Sequence, residues 1–331
     1  MYEDRFGLTK NPFRMTPDTS FLFVTEMHRE ALVGLAYAVL NRKGFTVLTG
    51  EAGAGKSTLL HRILESLPAR SSYVSNPMMS PSEFLEYAML DFGIGDVPAS
   101  KAQRLVRLEE FLLDTLERDE VAVLIVDEAQ CLSREVLEEI RLLTNLETPE
   151  GKLLQIILAG QNELADMLNR KDLRQLKQRV SVRLSLTPLS SVQTALYIQH
   201  RWKKAGGRGP MPFASQAVER IYAFSRGVPR SINALCDNAL IQAVANDVEA
   251  VRFEDVVAAA RDLDFATPSD GDYFPEPAQE GPFGLAEMPV SEHLPQSPFP
   301  VDEPTSADRP GLFGRFKRGL GLAGAGGTTH E

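Results

Sequence analysis

Two stretches of the chain carry residues whose types and spacing can do chemistry. The first, Gly50-Glu51-Ala52-Gly53-Ala54-Gly55-Lys56-Ser57-Thr58, reads G-x-x-x-x-G-K-[ST], the spacing of a phosphate-binding loop. Its glycines let successive backbone N–H groups turn toward one phosphate, the helix that follows presents its N-terminus to the same anion, and Lys56 adds a mobile positive charge. Ser57 can then offer its hydroxyl to Mg2+. The second stretch, Val123-Leu124-Ile125-Val126-Asp127-Glu128, is an apolar run that delivers two adjacent carboxylates. Ligands of open α/β sheets bind at the carboxyl edge of the strands, where these two would stand. Asp127 can hold Mg2+ through its hydration shell, while Glu128, pointing elsewhere, can orient or deprotonate an attacking water. A charged helix start has the same composition, since carboxylates favour helix N-termini. The phosphate loop upstream decides for chemistry.

The elements that must position these residues are legible around them. Phe45-Thr46-Val47-Leu48-Thr49 reads as a strand into the loop, and Leu59-Leu60-His61-Arg62-Ile63-Leu64 as the helix out of it. Further strands are expected at Ser71–Val74, Val121–Val126, Leu153–Ala159 and Val180–Leu186. Continuous apolar runs of this kind suit strands buried on both faces of a parallel sheet. Helices fall between them, at Glu26–Leu40, Pro81–Asp91, Lys101–Glu117 and Arg134–Leu146. Alternating strands and helices predict an α/β fold, a P-loop NTPase with a doubly wound parallel five-stranded sheet over residues 31–188. From Ser190 the pattern is helical only, with helices near 190–204, 214–225, 229–246 and 253–264, which predicts a small all-helical lid domain over 189–265. Residues 1–30 read as an irregular, aromatic-rich but ordered segment, because its prolines and glycine break helices, with its phenylalanines buried.

Composition narrows the class. The chain has 331 residues, enough for more than one domain, and a net charge of -10. That charge is uneven: ten acidic and four basic residues follow Ala266, leaving the first 266 only mildly acidic. No global positive field argues for nucleic acid. Cys131 and Cys236 are far apart and lack metal-ligand spacing, so both are expected to pack as small apolar residues in a reducing cytoplasm. His28 and His61 are isolated and are assigned to no metal; Trp202 beside two lysines reads as a helix packing position. The N-terminus lacks the basic-then-apolar pattern of a signal peptide, and no apolar run approaches the roughly 20 residues of a membrane span. Residues 266–310 have the composition of a disordered, Pro-rich acidic linker. Residues 311–331 begin with a basic-apolar tip in which Leu312, Phe313, Phe316 and Leu320 alternate with Arg315, Lys317 and Arg318, a pattern for weak membrane-surface or partner docking, with plain disorder favoured by its glycines.

The phosphate loop, the Asp127-Glu128-Ala129-Gln130 box, Leu158-Ala159-Gly160-Gln161 and Gly227-Val228-Pro229-Arg230-Ser231-Ile232-Asn233 together resemble an AAA+ ATPase. More narrowly, Phe6-Gly7-Leu8, Asn11-Pro12-Phe13, Pro17-Asp18, Phe21-Leu22-Phe23 and His28-Arg29-Glu30-Ala31-Leu32 resemble the opening of ExeA-like ATPases of the general secretion pathway. Relatives of those occur at pilus-assembly and exosortase loci, and TniB-type transposition ATPases are more distant kin. The resemblance implies ATP with Mg2+ as ligands, hydrolysis, and a homo-oligomer. It assigns Gln161 to the sensor 1 region, against a helix-capping alternative. It assigns Arg230 to the sensor 2 arginine that would link lid and phosphate. It places an arginine finger acting in trans within Arg170–Arg183, with Arg179 first and Arg183 second, against a solvated basic face or a nucleic-acid contact. It further implies secretion or envelope-assembly partners at the cytoplasmic face of the inner membrane. The family usually continues into a membrane span and a peptidoglycan-binding region, whereas this sequence reads on into the linker and tip. Two rival functions stand beside this one: a DNA-associated ATPase of the transposition-helper type, and a nucleotide-gated scaffold with little turnover.

Overall fold

A computed structural model describes residues 2–149 and 151–266. The expectations for the linker and the C-terminal tip fall on 267–331 and so lie outside the described residues. In chain order the elements are α1 (Tyr2–Phe6), α2 (Glu26–Leu40), β1 (Phe45–Gly50), α3 (Lys56–Ser66), β2 (Ala69–Val74), α4 (Pro81–Asp91), α5 (Lys101–Glu117), β3 (Val121–Val126), α6 (Arg134–Leu143), β4 (Glu147–Thr148), β5 (Gly151–Lys152), β6 (Leu154–Gly160), α7 (Asn162–Leu168), α8 (Arg174–Lys177), β7 (Val180–Leu186), α9 (Ser191–Lys204), α10 (Ser215–Ser225), α11 (Pro229–Ala245) and α12 (Phe253–Asp262).

Five strands form one parallel sheet in the order β2-β3-β6-β1-β7. Because side chains alternate across a strand, each central strand feeds two cores. Leu124 and Val126 of β3 and Ile156 and Leu158 of β6 join Phe84, Leu112 and Ile140 on one face. Val123 and Ile125 join Leu35 of α2 and Leu59 and Ile63 of α3 on the other. The doubly wound five-stranded sheet read from the sequence is therefore the sheet observed. Helix starts follow their caps: Ser80 and Ser190 each make a reciprocal capping box, with Glu83 and Gln193, which satisfies otherwise unpaired N–H groups.

Three local readings change. Helix α6 stops at Leu143 rather than Leu146, and a two-residue hairpin, β4 with β5, follows it. Residues 2–6 are helical despite the breakers downstream, and Tyr2 and Arg5 are tied to α11 and the turn after it by hydrogen bonds to Asp237 and Asp247. Cys131 is exposed, in a short 3-10 turn after β3, whereas Cys236 is buried as expected.

Residues 2–13 pack on the lid helices, while residues 19–21 lie between α9 and α3, where the Thr19 hydroxyl donates to Glu65 at 3.0 Å. Tyr2 and Phe13 are buried with Ile198, Trp202, Leu235 and Leu240. Phe6 meets Trp202 edge-on at 5.6 Å, and Phe13 meets Phe213 at 5.9 Å. The chain entering the lid closes on Gly227, between α10 and α11, whose carbonyl accepts from Leu189 N–H at 2.9 Å. A Cβ there would stand 1.9 Å from the Leu189 carbonyl oxygen, and φ is +77°, so only glycine closes this joint. Among the described residues no helix is long and apolar enough to cross a membrane.

Candidate nucleotide site

The loop between β1 and α3 lines a cavity of about 450 Å³ shared with the N-terminal segment and the lid. Helix α3 begins on Gly55, which offers no side-chain cap, so its first-turn N–H groups are left for a ligand. Lys56 is buried, and its Nζ donates to the Gly50 carbonyl at 2.8 Å and the Glu51 carbonyl at 3.0 Å. Burial lowers its pKa, and the nearby charges of Glu128 and Asp127 pull it back up. Ser57, the next residue, donates to Asp127 Oδ2 at 2.6 Å.

β3 brings the carboxylates in. Asp127 extends the strand pairing through its N–H to the Val74 carbonyl at 2.9 Å, and its side chain is buried. Glu128 then turns the chain with φ +51°, a left-handed conformation that costs a non-glycine residue roughly 1–2 kcal/mol. The turn aims Glu128 away from Asp127. Glu128 Oε2 accepts from Gln130 Nε2 at 2.6 Å and from Gln161 Nε2 at 3.3 Å. Gln161 is the N-cap of α7 but makes no side-chain capping bond, so its amide is spent on Glu128 rather than on the helix. Its own N–H goes to Gln130 Oε1 at 3.0 Å. Gly160 makes room for this bridge, since a Cβ there would come within 2.7 Å of Gln130 Oε1. Gln130 was in the Asp-Glu-Ala-Gln box yet received no role from sequence; its place in the box was the signal.

The lid reaches the loop through the start of α11. Arg230 N–H donates to the Gly53 carbonyl at 3.2 Å, and the Arg230 side chain lines the cavity. Gly53 has φ +82°, and a Cβ on it would sit 2.4 Å from Arg230 Cβ. Gly53→Ala is therefore expected to strain the loop by about 1–2 kcal/mol and push α11 away, lowering the thermal midpoint by roughly 2–8 °C. A calorimetric midpoint equal to that of the unmodified protein would mean that the lid does not rest on the loop.

Sequence reasoning gave no site role to His28 or to residues 14–23. His28, buried at the start of α2, hydrogen-bonds the Thr25 hydroxyl at 2.7 Å and the Ala54 backbone of the loop, and burial lowers its pKa. Phe21, Leu22 and Phe23 line the cavity opposite Tyr197 and Arg201 of α9. Arg201 lies over the Phe21 ring at 4.9 Å and donates to the Tyr197 hydroxyl at 2.9 Å, which donates in turn to Asn233 at 2.9 Å. The contact is non-local, and nothing in the local sequence pattern signals it. Arg179 and Arg183 do not line this cavity: Arg183 is exposed on β7, the edge strand of the sheet, and Arg179 is half-buried just before it.

The oxygen donors present, a serine hydroxyl and one carboxylate beside a phosphate-binding loop, fit Mg2+, which keeps several waters and takes one or two protein oxygens with the rest from phosphate. Among the described residues no cluster of three or more His, Cys, Asp or Glu could hold a metal by itself.

The chain is similar to known proteins in sequence and in fold. Residues 39–168 match the family model of the AAA domain. General secretion pathway protein A of Aeromonas hydrophila is 39% identical over 266 residues, covering 80% of this chain and 48% of that protein. The chain thus spans about half the length of that curated relative. Among solved structures, Cdc6p from Pyrobaculum aerophilum aligns with a TM-score of 0.59 at 18% identity, over 75% of this chain and 71% of that one. The ORC1 protein of Aeropyrum pernix, solved in complex with DNA, aligns with a TM-score of 0.58 at 19% identity, over 77% and 69%. At such identities these two likenesses speak for the fold alone.

Proposed function

We propose that the chain is an AAA+ P-loop ATPase related to general secretion pathway protein A and that it hydrolyses ATP with Mg2+ to drive or switch an envelope-assembly or secretion process at the cytoplasmic face of the membrane. The observation that carries the chemistry is the Ser57–Asp127 contact at 2.6 Å, with Lys56 and Glu128 lining the same cavity as Arg230. Lys56 and the loop amides hold phosphates. Ser57 and Asp127 hold the metal, which when bound neutralises phosphate charge. Glu128, steadied by Gln130 and Gln161, takes a proton from the attacking water. Arg230 ties the position of the lid to the phosphates. The nucleoside end faces Phe21, Tyr197 and Arg201.

The biological setting rests on the relative's name. Partners of secretion type and a homo-oligomer, with Arg179 or Arg183 reaching a neighbouring subunit's site, belong to it. A DNA-associated ATPase is kept as a second reading because Arg170, Lys171, Arg174 and Lys177 are exposed together before β7. Part of that charge is offset, since Arg170 and Arg134 both pair with Asp172. Phosphate release from ATP, measured with Mg2+ and with EDTA and then with duplex DNA at rising salt, tests both. Mg2+-dependent release indifferent to DNA is the expected result. Release stimulated by DNA and lost steeply with salt would favour the second reading, and no release under any condition would leave the nucleotide-gated scaffold.

A further inference from the structure

Asp127 is held from more sides than its motif requires. Its Oδ1 accepts from the Glu128 N–H at 2.9 Å, and its Oδ2 accepts from Ser57 at 2.6 Å and from the phenol of Tyr73 at 2.7 Å. Tyr73 belongs to none of the motifs and does not line the cavity. It lies near the end of β2, the outer strand beside β3.

Its own placement is fixed by two further contacts. The Tyr73 N–H, on the open edge of the sheet, donates to Asp91 Oδ2 at 2.6 Å. Its ring stacks on His61 with centroids 4.9 Å apart and planes 11° from parallel. His61 follows Ser57 by four residues in α3, so both project from one face of that helix. One helix thus supplies a hydroxyl for the Asp127 carboxylate and the ring that holds the phenol on the same oxygen.

A free aspartate carboxylate turns easily about its last torsion, which has broad, roughly two-fold preferences. Donors on both oxygens stop that rotation. A half-buried phenol must in turn find an acceptor, because an unpaired hydroxyl out of water is costly. Resting on the Mg2+–ATP reading above, we propose that Tyr73, braced by His61, is a positioning residue that sets the Asp127 carboxylate for the metal. It acts on the metal through Asp127 and has no contact with nucleotide.

The test is Tyr73→Phe in the full chain, which keeps the ring and removes one oxygen. Binding of a non-hydrolysable ATP analogue is titrated calorimetrically with Mg2+ and again with EDTA. The expected result is unchanged affinity in EDTA, with the affinity gained from Mg2+ cut about 10–100-fold, the scale for outer partners of metal ligands. Equal loss in both conditions would make the phenol a structural prop and overturn the inference, and so would an unchanged Mg2+ gain. If Tyr73→Phe does not fold, His61→Leu is titrated in the same way. A smaller Mg2+ gain at unchanged EDTA affinity supports the inference, and any other pattern overturns it. An unmodified protein with no Mg2+ gain at all would overturn the underlying Mg2+–ATP reading instead.

Discussion

Replacing Glu128 by glutamine is expected to reduce ATP turnover by about 10²–10⁴-fold, the usual contribution of a positioned general base, while nucleotide binding persists. The substitution removes the charge and the basic lone pair but keeps the side-chain length. The side-chain hydrogen bonds of Lys56 and Ser57, to the loop carbonyls and to Asp127, do not involve the Glu128 carboxylate. What changes is local: Glu128 Oε2 now accepts from Gln130 at 2.6 Å and Gln161 at 3.3 Å, and an amide at 128 offers one acceptor oxygen instead of two. The left-handed backbone at Glu128, φ +51°, is retained with either residue, so the turn that separates the two carboxylates survives. Steady-state phosphate release beside equilibrium binding of the ATP analogue reads both halves of this expectation. A variant that turns over at the normal rate removes Glu128 from the chemistry.

Lys56→Met is expected to act on the other half of the cycle. The lysine stem is buried, and the ammonium donates to the Gly50 and Glu51 carbonyls. Methionine keeps most of the stem and deletes the charge, so packing in the first turn of α3 is preserved. A hydrogen bond to a charged group is worth about 1.5–3 kcal/mol, so ATP affinity is expected to fall roughly 10–150-fold. The two loop carbonyls also lose their donor and must turn to water. Turnover falls with binding, which separates this variant from Glu128→Gln. Calorimetric titration checks it, and undiminished affinity would mean that Lys56 spends its charge on the loop alone.

Much of the fold could be read from local pattern, and the reasons are specific. β3 and β6 are buried on both faces, so their runs of six and seven residues stay apolar except for Gln155. Helices α9–α12 have regular apolar spacing, and each ends within two residues of its expected limit. α1 was missed because five residues cannot hold a helix by themselves; Tyr2 and Arg5 are held by Asp237 and Asp247, contacts that no local window contains. The β4–β5 hairpin was missed because two-residue strands leave no period to detect.

The site divides along the same line. The phosphate loop and Asp127-Glu128 are contiguous motifs, and each stands beside the other as their strands require. Gln161 and Arg230 were assigned through resemblance, and their contacts with Glu128 and Gly53 are compatible with the roles proposed for them. What sequence left silent is everything brought in from a distance. The N-terminal segment reads from sequence only as ordered with its phenylalanines buried, and nothing local signals that its aromatics close the cavity against α9. Tyr73 reaches Asp127 across 54 residues of sequence, carried by strand order that only the folded sheet reveals.

The central claim is that one cavity, bounded by the loop, the N-terminal segment and the lid, holds ATP with its metal between Ser57 and Asp127. A crystal structure with a non-hydrolysable ATP analogue and Mg2+ tests it most directly. The expected result has the phosphates against the Gly53–Thr58 amides, Mg2+ beside Ser57 and Asp127, and Arg230 turned toward the phosphates. Nucleotide bound elsewhere, or bound here with the metal distant from both Ser57 and Asp127, would contradict it.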